Sequence, residues 1–412
     1  MKVANILLWS ALALCAASPA SAMQWARSWA ASPQAPTPAM GSFPASPTFE
    51  NQTLRQVVRI SGGGTKVRVS FTNEFGSAPV SIGGAHVALD AGHGAIRAGS
   101  DHVLTFGGKT TAVIRAGAPL VSDPIDMPVA ALSRLTVSLY LPEKVDSCTC
   151  HGTAMETGYV AAGDQTAAAS LPGAQVLRTR ALLSGVDVGA DRPVRTIVAL
   201  GDSITDGVGS TPDADRRWPD IFAERLLHRG GPATYVANEG ISGNRVLSDG
   251  AGVSALARFD RDVLSTPGLA YVVVFEGIND IGIAYMPKVE GPMADAMKRM
   301  GGTPVTADDM IAGYKQLIAR AHAHGVKVYG ATIAPYEGAA YASADGERVR
   351  EAVNQWIRTS HAFDAVLDFD AVLRDPAHPT RLRDAYQAGD HLHGSDAGYQ
   401  ALAHSIDLNL FK

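Results

Sequence analysis

Hydrophobic and polar residues alternate along the first part of this chain and change rhythm near residue 190. Val67-Arg68-Val69-Ser70-Phe71-Thr72 and Leu135-Thr136-Val137-Ser138-Leu139-Tyr140 place apolar residues at every second position and are rich in β-branched members. That period is the mark of β-strands with two unlike faces. Turn-rich pieces such as Ser61-Gly62-Gly63-Gly64 and Phe106-Gly107-Gly108 punctuate the stretch from about Trp25 to about Val188, and no helical stripe interrupts it. Many short strands with frequent turns predict an antiparallel β-sandwich of jelly-roll-like type. No catalytic cluster is legible in this part. Trp25 and Trp29 read as buried aromatic anchors, with stacking on a sugar ring as the alternative.

After Asp191-Arg192-Pro193 the texture becomes strand alternating with helix. Strands are predicted at Val194 to Leu200, Tyr235 to Ala237, Tyr271 to Phe275, Val326 to Ile333 and Ala365 to Phe369. Helices are predicted at Trp218 to His228, Ser254 to Leu264, Ala307 to His324 and Gly346 to Ser360, with a last amphipathic one from Asp396. Thr306 stands where an N-cap belongs and Gly325 where a left-handed stop belongs. Alternation of this kind implies a parallel sheet with right-handed crossovers, hence an α/β sandwich.

Length and composition bound the rest. The chain has 412 residues, 46% hydrophobic and 18% charged, enough for two cores. A formal net charge of -5 without a basic stripe argues against nucleic acid as a partner. Lys2, the apolar run Ile6 to Ala17 and the small residues Ala20-Ser21-Ala22 read as an export signal cleaved before Met23. Cys15 raises a lipoprotein signal as the rival, but Leu14 precedes it where a small residue is wanted. The expected organisation is 1–22 signal peptide, 23–190 β-sandwich and 191–412 α/β domain. The protein is then secreted or periplasmic, and no later run is long enough to insert stably in a membrane. Cys148 and Cys150 remain after cleavage, and an oxidising compartment favours their disulfide. Two free thiols, or a metal site with His151, are the alternatives.

Four segments fall at strand ends, where sites form in open α/β sheets. Gly201-Asp202-Ser203 follows the first strand, Ser242-Gly243-Asn244 the second and Gly277-Ile278-Asn279-Asp280 the third; Asp390-His391-Leu392-His393 lies near the C-terminus. Together they supply acyl transfer. Ser203 needs a base to take its proton, which His393 can do, and Asp390 can orient the other ring nitrogen. The backbone N–H groups of Ser203 and Gly243 and the side-chain amide of Asn279 suit a developing oxyanion. His391 competes with His393 as the base, and the three-residue spacing from Asp390 favours His393. His378 reads as a loop histidine. Asp202 and Asp280 read as braces for their own turns. Asn238 and Asn244 read as solvated loop residues, and Arg216 and Arg217 as a surface cluster, with an acidic substrate group as their alternative partner.

These segments resemble the SGNH (GDSL-type) hydrolase family, named for serine, glycine, asparagine and histidine in four separate blocks. The resemblance covers about Val194 to Lys412, and the layout is similar to secreted bacterial members with an N-terminal β-sandwich. Ile204 replaces the leucine of the GDSL pattern, and Gly394 follows the histidine where proline is frequent. The resemblance implies an SGNH-type three-layer α/β sandwich with Ser203 as nucleophile and oxyanion donor. Gly243 and Asn279 are then the other donors, Asp390 and His393 complete the triad, and no metal or cofactor is needed. The implied activity is a serine esterase, with acylated carbohydrates or small acyl esters as expected substrates and a lipase or lysophospholipase as the alternative. An inactive carbohydrate-binding protein is the rival of another class. The insertion Ile281 to Val305 is long and rich in Gly, Pro and Met, and it follows the Asn279 block. Swapping or deleting it is expected to change acyl-chain or alcohol preference in a substrate panel; unchanged selectivity would count against that role.

Overall fold

The computed structural model describes residues 23–39, 45–286 and 303–412. The expected export signal and the middle of the insertion lie outside the described residues. In the first part, strands Gln24–Ala30, Leu183–Ala190, Gly64–Thr72 and Ile125–Val129 lie side by side in that order. Their pairings are antiparallel. A second antiparallel sheet orders Gln175–Leu177, Gly158–Ala162, Gln52–Arg59, Arg134–Leu141 and Gly84–Gly92. Val67, Val69 and Phe71 from one sheet meet Val58, Leu135, Val137 and Leu139 from the other in a single core. The alternate face of the second sheet is covered too. Buried Arg55 donates there to Ser138 Oγ (2.9 Å) and to the Gly94 and Ala168 carbonyls (both 2.8 Å).

Beyond residue 190 lies a five-stranded parallel sheet in the order Ala233–Gly240, Val194–Gly201, Leu269–Phe275, Lys327–Ala331, Ala365–Leu367. Its strands are apolar nearly throughout because both faces are covered. Ile197, Ala199 and Val273 pack on Trp218, Phe222, Tyr399 and Leu402 on one side. Val198, Leu200 and Val272 pack on Phe259, Tyr314, Leu317 and Val353 on the other. The result is the three-layer α/β sandwich. The first strand sits between the second and the third, so the chain winds off in opposite directions from it. Gly201 pairs in register with Gly240 on one side and Phe275 on the other, which levels three carboxyl ends at this switch point.

Helix boundaries follow from local chemistry. Thr306 and Asp309 form a reciprocal capping box at the start of Ala307–Ala323, and Gly325 at φ 70° supplies the left-handed stop. The helix expected from Ser254 to Leu264 is α-helical at Ala255–Phe259 and widens into a π-turn at Asp260–Leu264. The last strand stops at Leu367, because the Asp368 side chain accepts from the Ala371 N–H and starts the helix Phe369–Leu373.

The two parts are bonded along their length. Ser61 Oγ accepts from the Val236 N–H (2.9 Å), Arg59 meets Glu224 (2.8 Å), and Arg27 N–H reaches the Pro267 carbonyl (3.1 Å). Deepest of these ties is Arg258, 1% exposed. Its guanidinium donates to the carbonyls of Gly201 (3.1 Å) and Glu239 (2.7 Å), to Asn244 Oδ1 (2.9 Å) and to Ser32 Oγ (2.9 Å). Asp262 (3.1 Å) and Glu276 (3.5 Å) lie beside it. Removing one partner of a buried ionic network typically costs about 3–5 kcal/mol. Arg258→Leu is therefore expected to lower unfolding stability by about that amount in urea titrations. A loss under about 1 kcal/mol, the range of a surface pair, would refute the assignment of Arg258 as an internal tie.

Candidate active site

Ser203 opens a one-turn helix, Ser203–Asp206, directly after the first parallel strand. Gly201 allows this turn, since a Cβ there would lie 2.5 Å from the Phe275 carbonyl oxygen. Asp202 caps the turn by accepting from the Ile204 N–H (2.9 Å), and Gly207 at φ 103° ends it. Asp202 thus acts as the expected brace. It is buried, and burial pushes its carboxyl up to about 7.

His393 brings Nε2 to 2.8 Å from Ser203 Oγ, and its Nδ1 lies 2.5 Å from Asp390 Oδ2. The Asp390 carboxylate draws the ring proton to Nδ1 and leaves the Nε2 lone pair for the serine hydroxyl. Asp390 Oδ1 accepts the N–H groups of Leu392 (3.0 Å) and His393 (2.9 Å). Burial works to raise this carboxyl, but the His393 ring and those two N–H groups outweigh it and hold it well below the ordinary carboxylate range. His391 is exposed, at φ 60°, and its N–H points to Gln387. His378 is an exposed loop residue beside Asp375.

Two further loops are tied to this turn and to each other, Ser242 through Asp206 and Asn279 through the Asn244 carbonyl. Among the described residues, neither the Ser203 N–H nor the Gly243 N–H meets an acceptor. Gly243 adopts φ 78°, and a Cβ on it would lie 2.8 Å from that of Ala251. Both features require glycine. Asn279 Nδ2 donates to the Asn244 carbonyl (3.0 Å), which leaves its second hydrogen for a ligand. The Tyr341 hydroxyl donates to Asn279 Oδ1 (3.2 Å) and so fixes which way the amide points. Tyr341 carries no motif and was not legible in the sequence. Asp280 braces a neighbour's loop instead of its own, accepting the N–H groups of Val246 (2.8 Å) and Leu247 (3.0 Å). Burial pushes it up to about 6.

Several other expectations change, and others hold. Asn238 and Asn244 are structural brackets, not solvated loop residues. Asn238 Nδ2 holds the Thr205 carbonyl (2.7 Å), and Asn244 Nδ2 holds that of Val253 (2.9 Å). Arg216 is exposed, but Arg217 is buried and paired with Asp220 (2.7 Å) across the first turn of the helix Trp218–Arg229. Trp29 is a buried anchor with Arg180 over its ring at 5.3 Å; Trp25 is only half-buried and carries Arg68 on its face at 4.4 Å. Cys148 and Cys150 are joined by a disulfide, which removes both thiolates of the metal alternative. Among the described residues no group of three or more His, Cys, Asp or Glu side chains is arranged to hold a metal ion, and no helix is long and apolar enough to cross a membrane.

Residues 199–401 match the model of the GDSL-like Lipase/Acylhydrolase family. No curated protein matches the chain in sequence. Among solved structures, an acetyl xylan esterase from Geobacillus stearothermophilus is 22% identical over 51% of this chain and 92% of its own, with a TM-score of 0.38. A lipase/acylhydrolase from Enterococcus faecalis is 21% identical, covering 52% and 93%, at a TM-score of 0.38. A GDSL-like lipase from Bacteroides thetaiotaomicron is 18% identical, covering 52% and 85%, at the same TM-score of 0.38.

The state of Asp202 gives a pH signature. As pH rises from 3.8 towards about 7, the unfolded chain releases this proton while the folded chain keeps it, so the wild type loses stability across that window. Asp202→Asn keeps the cap acceptor and does not titrate. Its melting temperature relative to wild type is expected to climb through that window and level off above it. A difference that stays flat with pH would sink the idea.

Proposed function

Since residues 199–401 belong to the GDSL-like lipase/acylhydrolase family, and the protein is accordingly a carboxylic ester hydrolase, we propose that it cleaves esters through an acyl-enzyme on Ser203. The observation that carries this reading is the continuous chain Asp390–His393–Ser203, with each contact short enough to pass or hold a proton. Ser203 Oγ attacks the ester carbonyl while its proton passes to His393 Nε2. The imidazolium so formed is held by Asp390. Negative charge gathers on the carbonyl oxygen, where the N–H groups of Ser203 and Gly243 and the amide of Asn279 stabilise it. The alcohol leaves with the proton from Nε2. A water then gives its proton to the same nitrogen and displaces the acid from Ser203, which recovers its hydrogen.

We place the substrate among acylated carbohydrates or small acyl esters, handled outside the cytoplasm after removal of residues 1–22. Supporting this choice are the expected export signal and the β-rich part that precedes the hydrolase domain. In this reading residues 23–190 serve a hydrolase domain at 191–412. A lipid ester is favoured instead by one feature. A cavity of about 520 Å³ opens beside Asp280 of the Asn279 block, with Leu247, Leu256 and Val305 among its lining together with Arg245 and Asp309.

Turnover of p-nitrophenyl esters of increasing chain length, together with acetylated sugars and phospholipids, separates the two. Acetyl esters are expected to be cleaved fastest, and a rate that grows with chain length would overturn the small-ester assignment. Ser203→Ala and His393→Ala are each expected to lower kcat by about 10⁴-fold or more, and Asp390→Asn by about 10³–10⁴-fold, in folded protein. His391→Ala should leave turnover close to wild type. Activity kept by His393→Ala and lost in His391→Ala would reassign the base.

A further inference from the structure

The nucleophile turn and the Gly243 loop are tied by a carboxylate that faces no ester. Asp206, the last residue of the turn begun by Ser203, is 2% exposed. Its Oδ2 accepts both the Ser242 N–H (3.0 Å) and the Ser242 hydroxyl (2.7 Å). Its Oδ1 lies 2.9 Å from Nε2 of His151, which belongs to the short strand Cys150–His151 of the β-rich part. The other ring nitrogen, Nδ1, lies 3.0 Å from the Ser32 carbonyl oxygen.

These partners orient the ring and favour its charged form. A carbonyl oxygen only accepts, so Nδ1 carries a hydrogen. A carboxylate already accepting two hydrogens at its other oxygen presents only lone pairs, so Nε2 carries one as well. Burial works against an imidazolium, but the Asp206 carboxylate outweighs it and raises the ring above its ordinary value. A sealed, hydrogen-bonded His151–Asp206 pair thus joins the β-rich part to the residue that precedes Gly243. Short charge-assisted bonds of this kind fix geometry tightly. The same segment makes two more ties. Thr153 Oγ1 meets Ser242 Oγ at 2.8 Å, and the Gly152 N–H is held by Gln34 (2.9 Å). Gln34 in turn donates to the carbonyl of Ala251 (2.7 Å), the residue packed over Gly243.

We propose that His151 is a positioning residue which sets the Gly243 N–H for the oxyanion through Asp206 and Ser242, so that the β-rich part supplies a component of the esterase site. The proposal rests on the Ser203 reading above. Because the Gly243 donor serves the transition state and not the bound ester, loosening it lowers kcat and leaves KM in place.

The test uses the full chain with p-nitrophenyl acetate. His151→Ala is expected to lower kcat by about 10–100-fold, less than the loss of a whole oxyanion donor, with KM within about twofold of wild type. His151→Gln, which restores one donor towards Asp206, should recover part of the loss. Ser242→Ala added to His151→Ala should cost little more, since both act along one chain of bonds. Affinity for phenylboronic acid, a tetrahedral mimic on the serine, should weaken in step with kcat/KM. Should His151→Ala fail to fold, the Gln variant and Thr153→Val, which cuts the second tie to Ser242, carry the same comparison. Wild-type kcat in folded His151→Gln and Thr153→Val, or losses that add fully with Ser242→Ala, would overturn the proposal. If Ser203→Ala retains turnover, it is the underlying reading that fails; if Ser203→Ala is dead and the His151 variants are unimpaired, only this inference falls.

Discussion

The guanidinium of Arg258 is the constraint on which the site geometry depends. Its donors reach the carbonyl of Gly201 at the end of the first parallel strand, the carbonyl of Glu239 near the end of the second, and Asn244 in the loop that carries Gly243. Glu276, just past the end of the third strand, lies beside it. A buried cation is costly unless its hydrogens are satisfied and its charge is matched. Here carbonyls and a side-chain amide meet the first need, and Asp262 meets the second. Arg261 and Arg258 hold Asp262 below its ordinary range despite the burial that would raise it. Burial instead pushes Glu276 above its usual value and Glu239 up to about 8, which favours the neutral form of both. The Arg258–Asp262 pair thereby holds three strand ends and one loop in register.

That arrangement divides the site by rigidity. On the proposed oxyanion side nearly every partner is buried and bonded from two directions. The Gly243 loop is gripped by Asp206 through Ser242 and by Asp280 through Val246 and Leu247. The base side differs, since half of the Asp390 side chain is open to solvent and His393 shows 15%. This fits the proposed chemistry. Oxyanion donors act by being fixed before charge develops, whereas the base must exchange a proton with an alcohol and then with water.

How much of this the sequence disclosed follows from what is local. The parallel strands were legible because burial on both faces writes a run of apolar residues, and the Thr306 cap and Gly325 stop because capping is a matter of adjacent residues. Ser203, Gly243, Asn279, Asp390 and His393 were legible as candidates because each falls at a strand end or in the Asp-x-x-His block. Arg258, Tyr341 and Asp206 were not. Each owes its role to partners from other elements, and no spacing along the chain predicts that a guanidinium in the middle of a helix will face a strand end. The misreadings of Arg217, Asn238 and Asn244 have the same root. A polar residue in a loop-like setting reads as solvated until the element packed over it is known, here Gly207 over Arg217 and Arg258 over Asn244.

His151 shows the limit most sharply. In sequence it sits beside two cysteines and invites a metal reading, while its partner Asp206 lies 55 positions away in another sheet system. The β-rich part therefore could not be read as anything but an accessory. Its bonds say more. Ser32 meets Arg258 and Glu239, Gln34 holds Ala251, and His151 and Thr153 reach the bonds around Ser242. All four residues come from two short segments of the β-rich part, and all their bonds are spent on the strand ends, the nucleophile turn and the loop that carries the proposed oxyanion donor Gly243. A module attached only for binding or export has no physical reason to be bonded at those points. A scaffold that completes the wall of the site does, because a loop held from one side alone retains the freedom that fixed donors must lose.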